Sequence, residues 1–474
     1  MRTVGNLSTR SERRRPRILV VGTGFAGYHC LRRLEKLLPE DAAELVAVNP
    51  ADYMLYVPLL PEVAAGILDP RQVAVPVRGK LRRTRFLLGT VTSVDVAERT
   101  CTMVDTEGDE RCVDWDYLVL ACGAVTRLLS IPGVAEHAKG FKSIAESIYL
   151  RDHVLRQLEL AEQTDDPDER AARTTFVVVG AGYTGTEVVT QGQLLTRDAL
   201  PHYPGLADTG ARWILIDVAD RVLPGLNERL SGPALKVLRR RGVDVRLSTS
   251  VSEVTPTCAR LTDGSEIPTH TVVWCVGVRP DPLIGALNLE TTKGRLTVDE
   301  YLTVPGHERM YAIGDAAAVP DLTRPGEITP MTAQHAQRQG KAAARNLAAA
   351  LGYGGRRPYR HRDLGFTVDL GGMQAVADPL HVPITGPVAK AITRAYYLLV
   401  LPWGRLRVLA DWITEALGPR RLVEFGLVPE RGISLTEADR LPAIHGASPA
   451  IQQDGRQPAG EEARGEQEST ARRG

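Results

Sequence analysis

Ile18-Leu19-Val20-Val21-Gly22-Thr23-Gly24-Phe25-Ala26-Gly27 is an apolar, β-branched run that breaks into a glycine-rich turn. Residues 28–38 follow with helical spacing, so the stretch reads strand, turn, helix. In that setting Gly22 permits the tight turn, Gly24 lets a pyrophosphate approach the backbone, and Gly27 lets the helix pack on the strand. Phe25 and Ala26 belong to the same turn. The helix N-terminus offers unpaired N–H groups and a positive dipole end to phosphate. The pattern recurs in Phe176-Val177-Val178-Val179-Gly180-Ala181-Gly182-Tyr183-Thr184-Gly185, again followed by a helical segment, Thr186-Glu187-Val188-Val189. The copies lie about 160 residues apart, which predicts two similar folds rather than one small repeated unit. Two dinucleotide-binding, Rossmann-like units in an α/β architecture are expected.

Each unit should end its second strand on a residue that meets a ribose. In the second unit Trp213-Ile214-Leu215-Ile216 ends in Asp217. A carboxylate there suits a free 2′-hydroxyl better than a 2′-phosphate and favours NADH over NADPH; Arg221 nearby softens that preference. Residues 198–209, rich in Pro, Gly and Asp, read as an inserted loop that accounts for the long spacing from Gly185. In the first unit Leu45-Val46-Ala47-Val48 ends in Asn49. Its amide either bonds a ribose without charge or simply starts the turn Asn49-Pro50.

A chain of 474 residues has room for two or three domains. A net charge of +1 and only 5 % aromatic residues argue against nucleic acid as the partner. Cys30, Cys101, Cys112, Cys122, Cys258 and Cys275 contain no C-x-x-C pair, which excludes a zinc ribbon and the common redox dithiol. No His/Cys cluster has ligand spacing, so no metal is expected. Residues 1–15, with Arg10, Arg13, Arg14 and Arg15, read as a basic arm and not a secretion signal. Residues 431–474 read as a disordered tail. The apolar run 395–403 is about half of the roughly 20 residues a spanning helix needs. Ile392, Tyr396 and Leu399, then Leu406, Leu409, Ile413 and Leu417, recur at helical spacing among Lys390, Arg394, Arg405, Arg407, Arg420 and Arg421. With Trp403 and Trp412 as anchors, this pattern suits helices lying in a membrane interface. The alternative is packing on the protein's own core or on a second subunit, as in a homodimer.

Further segments carry a family likeness. Residues 53–66 (Tyr-Met-Leu-Tyr-Val-Pro-Leu-Leu-Pro-Glu-Val-Ala-Ala-Gly, with Pro58 in their middle), Asp116-Tyr117-Leu118-Val119-Leu120-Ala121-Cys122-Gly123, Val272-Val273-Trp274-Cys275-Val276-Gly277-Val278-Arg279-Pro280 and Tyr311-Ala312-Ile313-Gly314-Asp315 are four. The most diagnostic is Thr332-Ala333-Gln334-His335-Ala336-Gln337-Arg338-Gln339-Gly340. Over residues 17–428 the chain resembles the FAD-dependent pyridine nucleotide oxidoreductases, most of all the type II (non-proton-pumping) NADH dehydrogenases.

The resemblance implies FAD in the first unit, against Gly22, Gly24, Phe25, Ala26, Gly27, Asn49, Pro58, Ala121 and Gly123. It implies NADH in the second, against Gly180, Gly182, Tyr183, Thr184, Gly185, Asp217 and Gly277. Gly314 and Asp315 would hold the ribityl chain. Ala333, Gln334 and Ala336 would open a helix aimed at the flavin, with the Ala336 N–H as a donor to the pyrimidine edge. Glu187 stands where the family has a carboxylate near the nicotinamide, or it is a first-turn Glu favoured by its own helix dipole. Gln334 and Arg338 share a helical face at the acceptor end. The family has a second Gln where Arg338 stands, so Arg338 either binds an anionic or carbonyl-rich acceptor, holds a flavin oxygen, or faces solvent.

The implied organisation is a FAD domain in two parts (16–170 and 289–378), an inserted NAD(H) domain (171–288) and C-terminal amphipathic helices (379–430). The implied activity is hydride transfer from NADH to FAD and then electron transfer to a quinone, at the cytoplasmic face of the cell membrane. The alternatives are a reductase of another acceptor, such as a ferredoxin or a specialised metabolite, and a low-turnover redox-sensing flavoprotein. Dithiol reductases of this fold need paired reactive cysteines, and Cys122 and Cys275 stand alone in apolar strands.

Overall fold

The computed structural model describes residues 15–226, 228–433 and 435. Nearly all of the expected arm and tail, residues 1–14 and 436–474, lies outside them. An eight-stranded sheet takes β1 (Arg17–Val21), β2 (Glu44–Asn49), β3 (Thr84–Asp95), β4 (Thr100–Asp105), β5 (Glu110–Asp114) and β6 (Tyr117–Leu120). The chain then builds a four-stranded parallel sheet from β7 (Thr175–Val179), β8 (Arg212–Ile216), β9 (Asp244–Arg246) and β10 (Thr271–Trp274). It returns to the first sheet with β11 (Thr303–Val304) and β12 (His307–Ala312). The orders are β11-β12-β6-β1-β2-β3-β4-β5 and β9-β8-β7-β10.

Every residue of β1 and of β7 is buried. That is the signature of a central parallel strand covered on both faces, and it explains why both read as unbroken apolar runs. β1 has parallel neighbours β2 and β6, and β7 has β8 and β10. Strand order reverses at each, and ligands of such sheets sit in the crevice at the strands' carboxyl ends. The glycine turns stand at those two points.

Helix α1 (Phe25–Leu37) follows β1, a short α2 (Leu60–Ala64) follows β2, α3 (Ile144–Gln163) leads toward the second sheet, and α4 (Tyr183–Ala199) follows β7. Helix α5 (Ala333–Ala350) comes after β12 and lies on α1. A Cβ on Gly340 would come within 2.2 Å of the Ala26 carbonyl oxygen, so the two backbones nearly touch. The stretch expected as an inserted loop differs: α4 runs through Asp198 to Ala199, and two 3₁₀ turns, Leu200–His202 and Pro204–Leu206, follow. Pro201 and Pro204 sit in their first positions, where a missing N–H costs nothing, and Leu206 is buried.

A small sheet of β13 (Thr367–Asp369), β14 (Ala375–Ala377) and β15 (Ile384–Thr385) precedes α6 (Gly386–Val400) and α7 (Arg405–Leu417). Their outer face is apolar, with Val388, Leu399, Leu406, Ile413 and Leu417 exposed. Two expected surface groups point inward instead. Trp412 is 3 % exposed and Lys390 is 2 % exposed, so neither is an interfacial anchor. Among the described residues no helix is long and apolar enough to cross a membrane.

Candidate active site

The two glycine loops are built alike, contact for contact. Gly22 N–H donates to Val48 O at 2.8 Å, and Gly180 N–H to Ile216 O at 2.7 Å. Both glycines have positive φ, +94° and +105°, a region that costs a side chain dearly. Thr23 N–H donates to Asn49 Oδ1 at 2.9 Å, and Ala181 N–H donates to the equivalent atom, Asp217 Oδ2. Asn49 and Asp217 therefore do the same structural work, each tying the turn to the end of the second strand. Asn49 Nδ2 also donates to Ala51 O at 2.7 Å, which gives it the turn-forming role outright. Asp217 Oδ1 accepts from Ala219 N–H at 2.8 Å, and Arg221 is drawn away to Glu228.

Gly24 and Gly182 are the N-caps of α1 and α4, and neither helix end has a side-chain cap. A Cβ on either would meet nothing within 4 Å. Open space faces two uncapped helix N-termini, which fits the diphosphates of FAD and of a nicotinamide dinucleotide.

Beyond the first glycine loop, three segments converge on Gly314. A Cβ there would lie 3.0 Å from Ala26 Cβ and 3.6 Å from Ala336 Cβ, so the first glycine loop, the Gly314-Asp315 turn and α5 meet at one point. Gln339 Oε1 accepts the Gly314 N–H at 2.7 Å, while its Nε2 donates to Thr329 Oγ1 at 3.0 Å. Burial raises the Asp315 pKa, and Lys142 and Arg295 pull it back. Ala121 N–H donates to Val21 O at 2.8 Å, and Gly123 and Gly277 hold equivalent positive-φ turns beyond the two sheets. Pro58 sits in the 3₁₀ turn Val57–Leu59.

At the start of α5, Thr332 caps the helix by accepting from His335 N–H. The Ala336 N–H donates to Thr332 O at 2.9 Å, which corrects its expected role as a flavin donor. The donors left over in this first turn are those of Ala333 and Gln334. Gln334 Nε2 donates to Gly365 O at 2.8 Å, and its Oε1 is buried without a partner. One turn on, Arg338 Nη1 donates to His361 Nδ1 at 3.0 Å and to Arg362 O. Tyr359 OH lies 2.9 Å from His335 Nδ1, and the His335 and His361 rings stack 3.8 Å apart. Arg338 is thus held in place and is not a loose solvent arginine.

Glu187 lies past the first turn of α4, so the helix-dipole alternative for it falls. Its Oε1 accepts the Asp369 N–H at 3.0 Å, and burial pushes its pKa well above the carboxylate range. Asp369 pairs with Lys390, which stands 3.8 Å from Glu62 Oε1. Glu62 in turn accepts from the Trp412 indole N–H. Burial raises Glu62 to about 7, against the pull of Lys390. Three enclosed carboxylates share one ammonium, and α2, α4, β13, α6 and α7 all contribute. Tyr183 stacks on Phe366 at 5.6 Å, so the second loop's helix reaches the same 365–369 segment that Gln334 touches.

Gln339, Glu62, Asp369, Lys390 and His361 were not foreseen. Glu62 had a usable signal, a lone charge inside the apolar run Leu59-Leu60-Pro61-Glu62-Val63-Ala64-Ala65, which demands a buried partner. Among the described residues no group of three His, Cys, Asp or Glu is placed to hold a metal ion. The six cysteines are free thiols, and burial raises Cys122 and Cys275, so neither offers a ready thiolate.

The profile of the pyridine nucleotide-disulphide oxidoreductase family matches residues 16–340. A type II NADH:quinone oxidoreductase of Mycobacterium tuberculosis is 30% identical over 426 residues, covering 86% of this chain and 89% of that protein. An internal alternative NAD(P)H-ubiquinone oxidoreductase of Solanum tuberosum mitochondria is 30% identical over 447 residues, covering 87% and 88%. The solved structure of NDH2 from Plasmodium falciparum in complex with NADH has the same fold, with a TM-score of 0.80 at 18% identity over 86% of this chain and 100% of that one. The chain belongs to the pyridine nucleotide-disulphide oxidoreductases, in the branch of the type II NADH:quinone oxidoreductases.

Proposed function

We propose that this protein is a non-proton-pumping NADH:quinone oxidoreductase that works through bound FAD. The observation that carries the reading is the meeting of the Ala26 loop, Gly314 and Ala336 at one point, with Gln334 in the first turn of the same helix as Ala336 and carrying a buried, unpartnered oxygen. Residues 16–170 and 289–378 form the FAD domain, 171–288 the NAD(H) domain, and 379–430 the membrane-facing helices.

FAD supplies the redox step, accepting a hydride and passing two electrons on. The protein supplies alignment. The α1 and α4 N-termini hold the two diphosphates, with Tyr183, Thr184 and Gly185 shaping the second turn. Asp315 takes the ribityl hydroxyls. The free Ala333 and Gln334 N–H groups face the pyrimidine edge and favour negative charge there. Glu187, whose pKa burial raises, places its carboxyl group at the nicotinamide end of the second unit. Gln334 and Arg338 line the acceptor side. The test is steady-state NADH oxidation by flavin-loaded protein with menaquinone or ubiquinone analogues. A rate no higher than the oxygen background with every quinone would overturn the assignment.

Asp217 gives NADH its preference over NADPH. Asn49 already holds its own loop with one amide oxygen, so Asp217→Asn keeps the bond from the Ala181 N–H while it loses the charge and the bond from the Ala219 N–H. The NADPH-to-NADH ratio of kcat/KM should then rise about tenfold, the worth of one charge-assisted contact. An unchanged ratio would remove Asp217 from specificity.

The exposed face of Val388, Leu399, Leu406, Ile413 and Leu417, with the Lys80 ammonium over the Trp403 ring, rests on the membrane surface at its cytoplasmic side. Full-length protein should float with anionic vesicles, and Leu406→Glu with Leu417→Glu should abolish flotation. Protein that instead stays soluble and sediments as a dimer would assign this face to a second subunit.

A further inference from the structure

Arg338 is a fixed cation with neutral partners. His361 accepts its N–H through Nδ1, so that ring is in its neutral form, and the other partner is a backbone carbonyl. Burial raises the Tyr396 and Tyr359 pKa values and the Arg338 charge pulls both back, so Tyr396 on α6 and Tyr359 lie within range of the guanidinium. Arg32 and Arg33 on α1, and Lys341 three residues on from Arg338 on α5, add positive charge where the two helices pack. Burial lowers the Lys341 pKa, and Arg32, Arg338 and Arg33 lower it further. Among the described residues none of these four cations has an ion pair to a carboxylate. The nearby acids are engaged elsewhere. Glu35 accepts from Arg83 and Thr84 backbone N–H groups, Asp321 from Thr323, and Asp363 from Gly365 N–H, with His381 at 3.9 Å. His335 and His361 are both held below the ordinary histidine range, first by burial, so they neither compensate nor mask the charge.

A cation without a counter-ion, one helical turn from the unpartnered Gln334 oxygen, is a site for an anion that also carries a hydrogen-bond donor or ring edge. We propose that Arg338 makes the acceptor site selective for quinones that are anionic at neutral pH, such as hydroxyquinones, and that Arg32, Arg33 and Lys341 steer them in. This rests on the quinone reading above. NADH supplies a hydride, which is two electrons and a proton, solvent supplies the second proton, and the quinone leaves as quinol. A small anionic quinone is favoured over an acidic carrier protein because the unpartnered Gln334 oxygen one helical turn away is buried, out of reach of a protein surface.

The experiment compares kcat/KM for lawsone, a hydroxynaphthoquinone ionised at neutral pH, with that for menadione, a neutral methylnaphthoquinone. The two differ in intrinsic potential, so the readout is the change in their ratio between wild type and Arg338→Gln. That ratio should fall about tenfold in Arg338→Gln and hold in Arg338→Lys, which keeps the charge. Lawsone kcat/KM should also fall with rising salt, with a shallower slope in Arg32→Ala combined with Lys341→Ala. A ratio unmoved by Arg338→Gln, with both quinones turned over, overturns this proposal alone. Turnover of neither overturns the quinone reading and this proposal with it. Reduction of an acidic ferredoxin lost in Arg338→Gln, while the quinone ratio holds, assigns the cationic stripe to a protein and overturns the small-anion reading.

Discussion

Lys390→Met should lower folding stability by about 3–5 kcal/mol at neutral pH, the cost of stranding buried charge by removing one partner. Lys390 is the ammonium within reach of both Asp369 and Glu62, and Glu187 lies against the Asp369 backbone. Methionine fills similar space, so the loss comes from charge and not from a cavity. The penalty must depend on pH in a stated direction. Glu62 ionises at 4.5 when unfolded and at about 7 in the fold, so the native state holds a proton that the unfolded chain has released between those values. Stability from Glu62 is full below that window and is lost as pH rises through it. Lys390 holds the native Glu62 value down, so in the variant it should rise above about 7; wild type and variant lose stability alike below that value, and the gap between them should widen as pH rises above about 7. Urea denaturation followed by tryptophan fluorescence measures it. Glu62→Gln placed on Lys390→Met should restore part of the loss, because it removes one of the stranded carboxylates. A pH-independent gap would mean that Lys390 acts through packing alone.

Both nucleotide units were legible because a glycine turn at a strand end is a local demand. Gly22, Gly24 and Gly27 are each needed by neighbours within a few residues, and so are Gly180, Gly182 and Gly185. Asp217 and Asn49 were found for the same reason, although their shared backbone role shows only in three dimensions. The carboxylate cluster escaped because its members stand at positions 62, 187, 369, 390 and 412, and no periodicity links such distant residues. Lys390 and Trp412 misled for a related reason. Helical spacing places them on α6 and α7, but it cannot tell which face of an amphipathic helix finds a buried acid. Ala336 failed on a finer point, since the helix begins at Ala333 and the Ala336 N–H is already within the ladder. Arg338 was singled out by its departure from the motif, yet its partners come from the 359–365 segment, which carries no motif of its own.

The glycine loops allow packing and ligand binding to be separated, which the sequence pattern alone does not. Gly27→Ala would set a Cβ 1.9 Å from Gly22 O and 3.3 Å from Ala121 Cβ, and Gly185→Ala would set one 1.8 Å from Gly180 O. Backbone must move by about 1 Å or more to relieve either contact, and a displacement of that size at a reacting site costs roughly a hundredfold in rate. Gly27→Ala should therefore purify without flavin. Gly185→Ala should keep its flavin, which dithionite reduces and NADH does not. Gly182→Ala is the sharper case. Gly182 has φ −72°, an ordinary angle, and its added Cβ would meet nothing within 4 Å. That variant should keep its flavin and melt within a few degrees of wild type. The space its methyl group enters is the approach to the α4 N-terminus, so NADH should bind at least tenfold more weakly, read as KM and as the concentration dependence of flavin bleaching. A Gly182→Ala protein with normal NADH affinity would show that no pyrophosphate passes there, and the second unit would lose its assignment even with the fold intact.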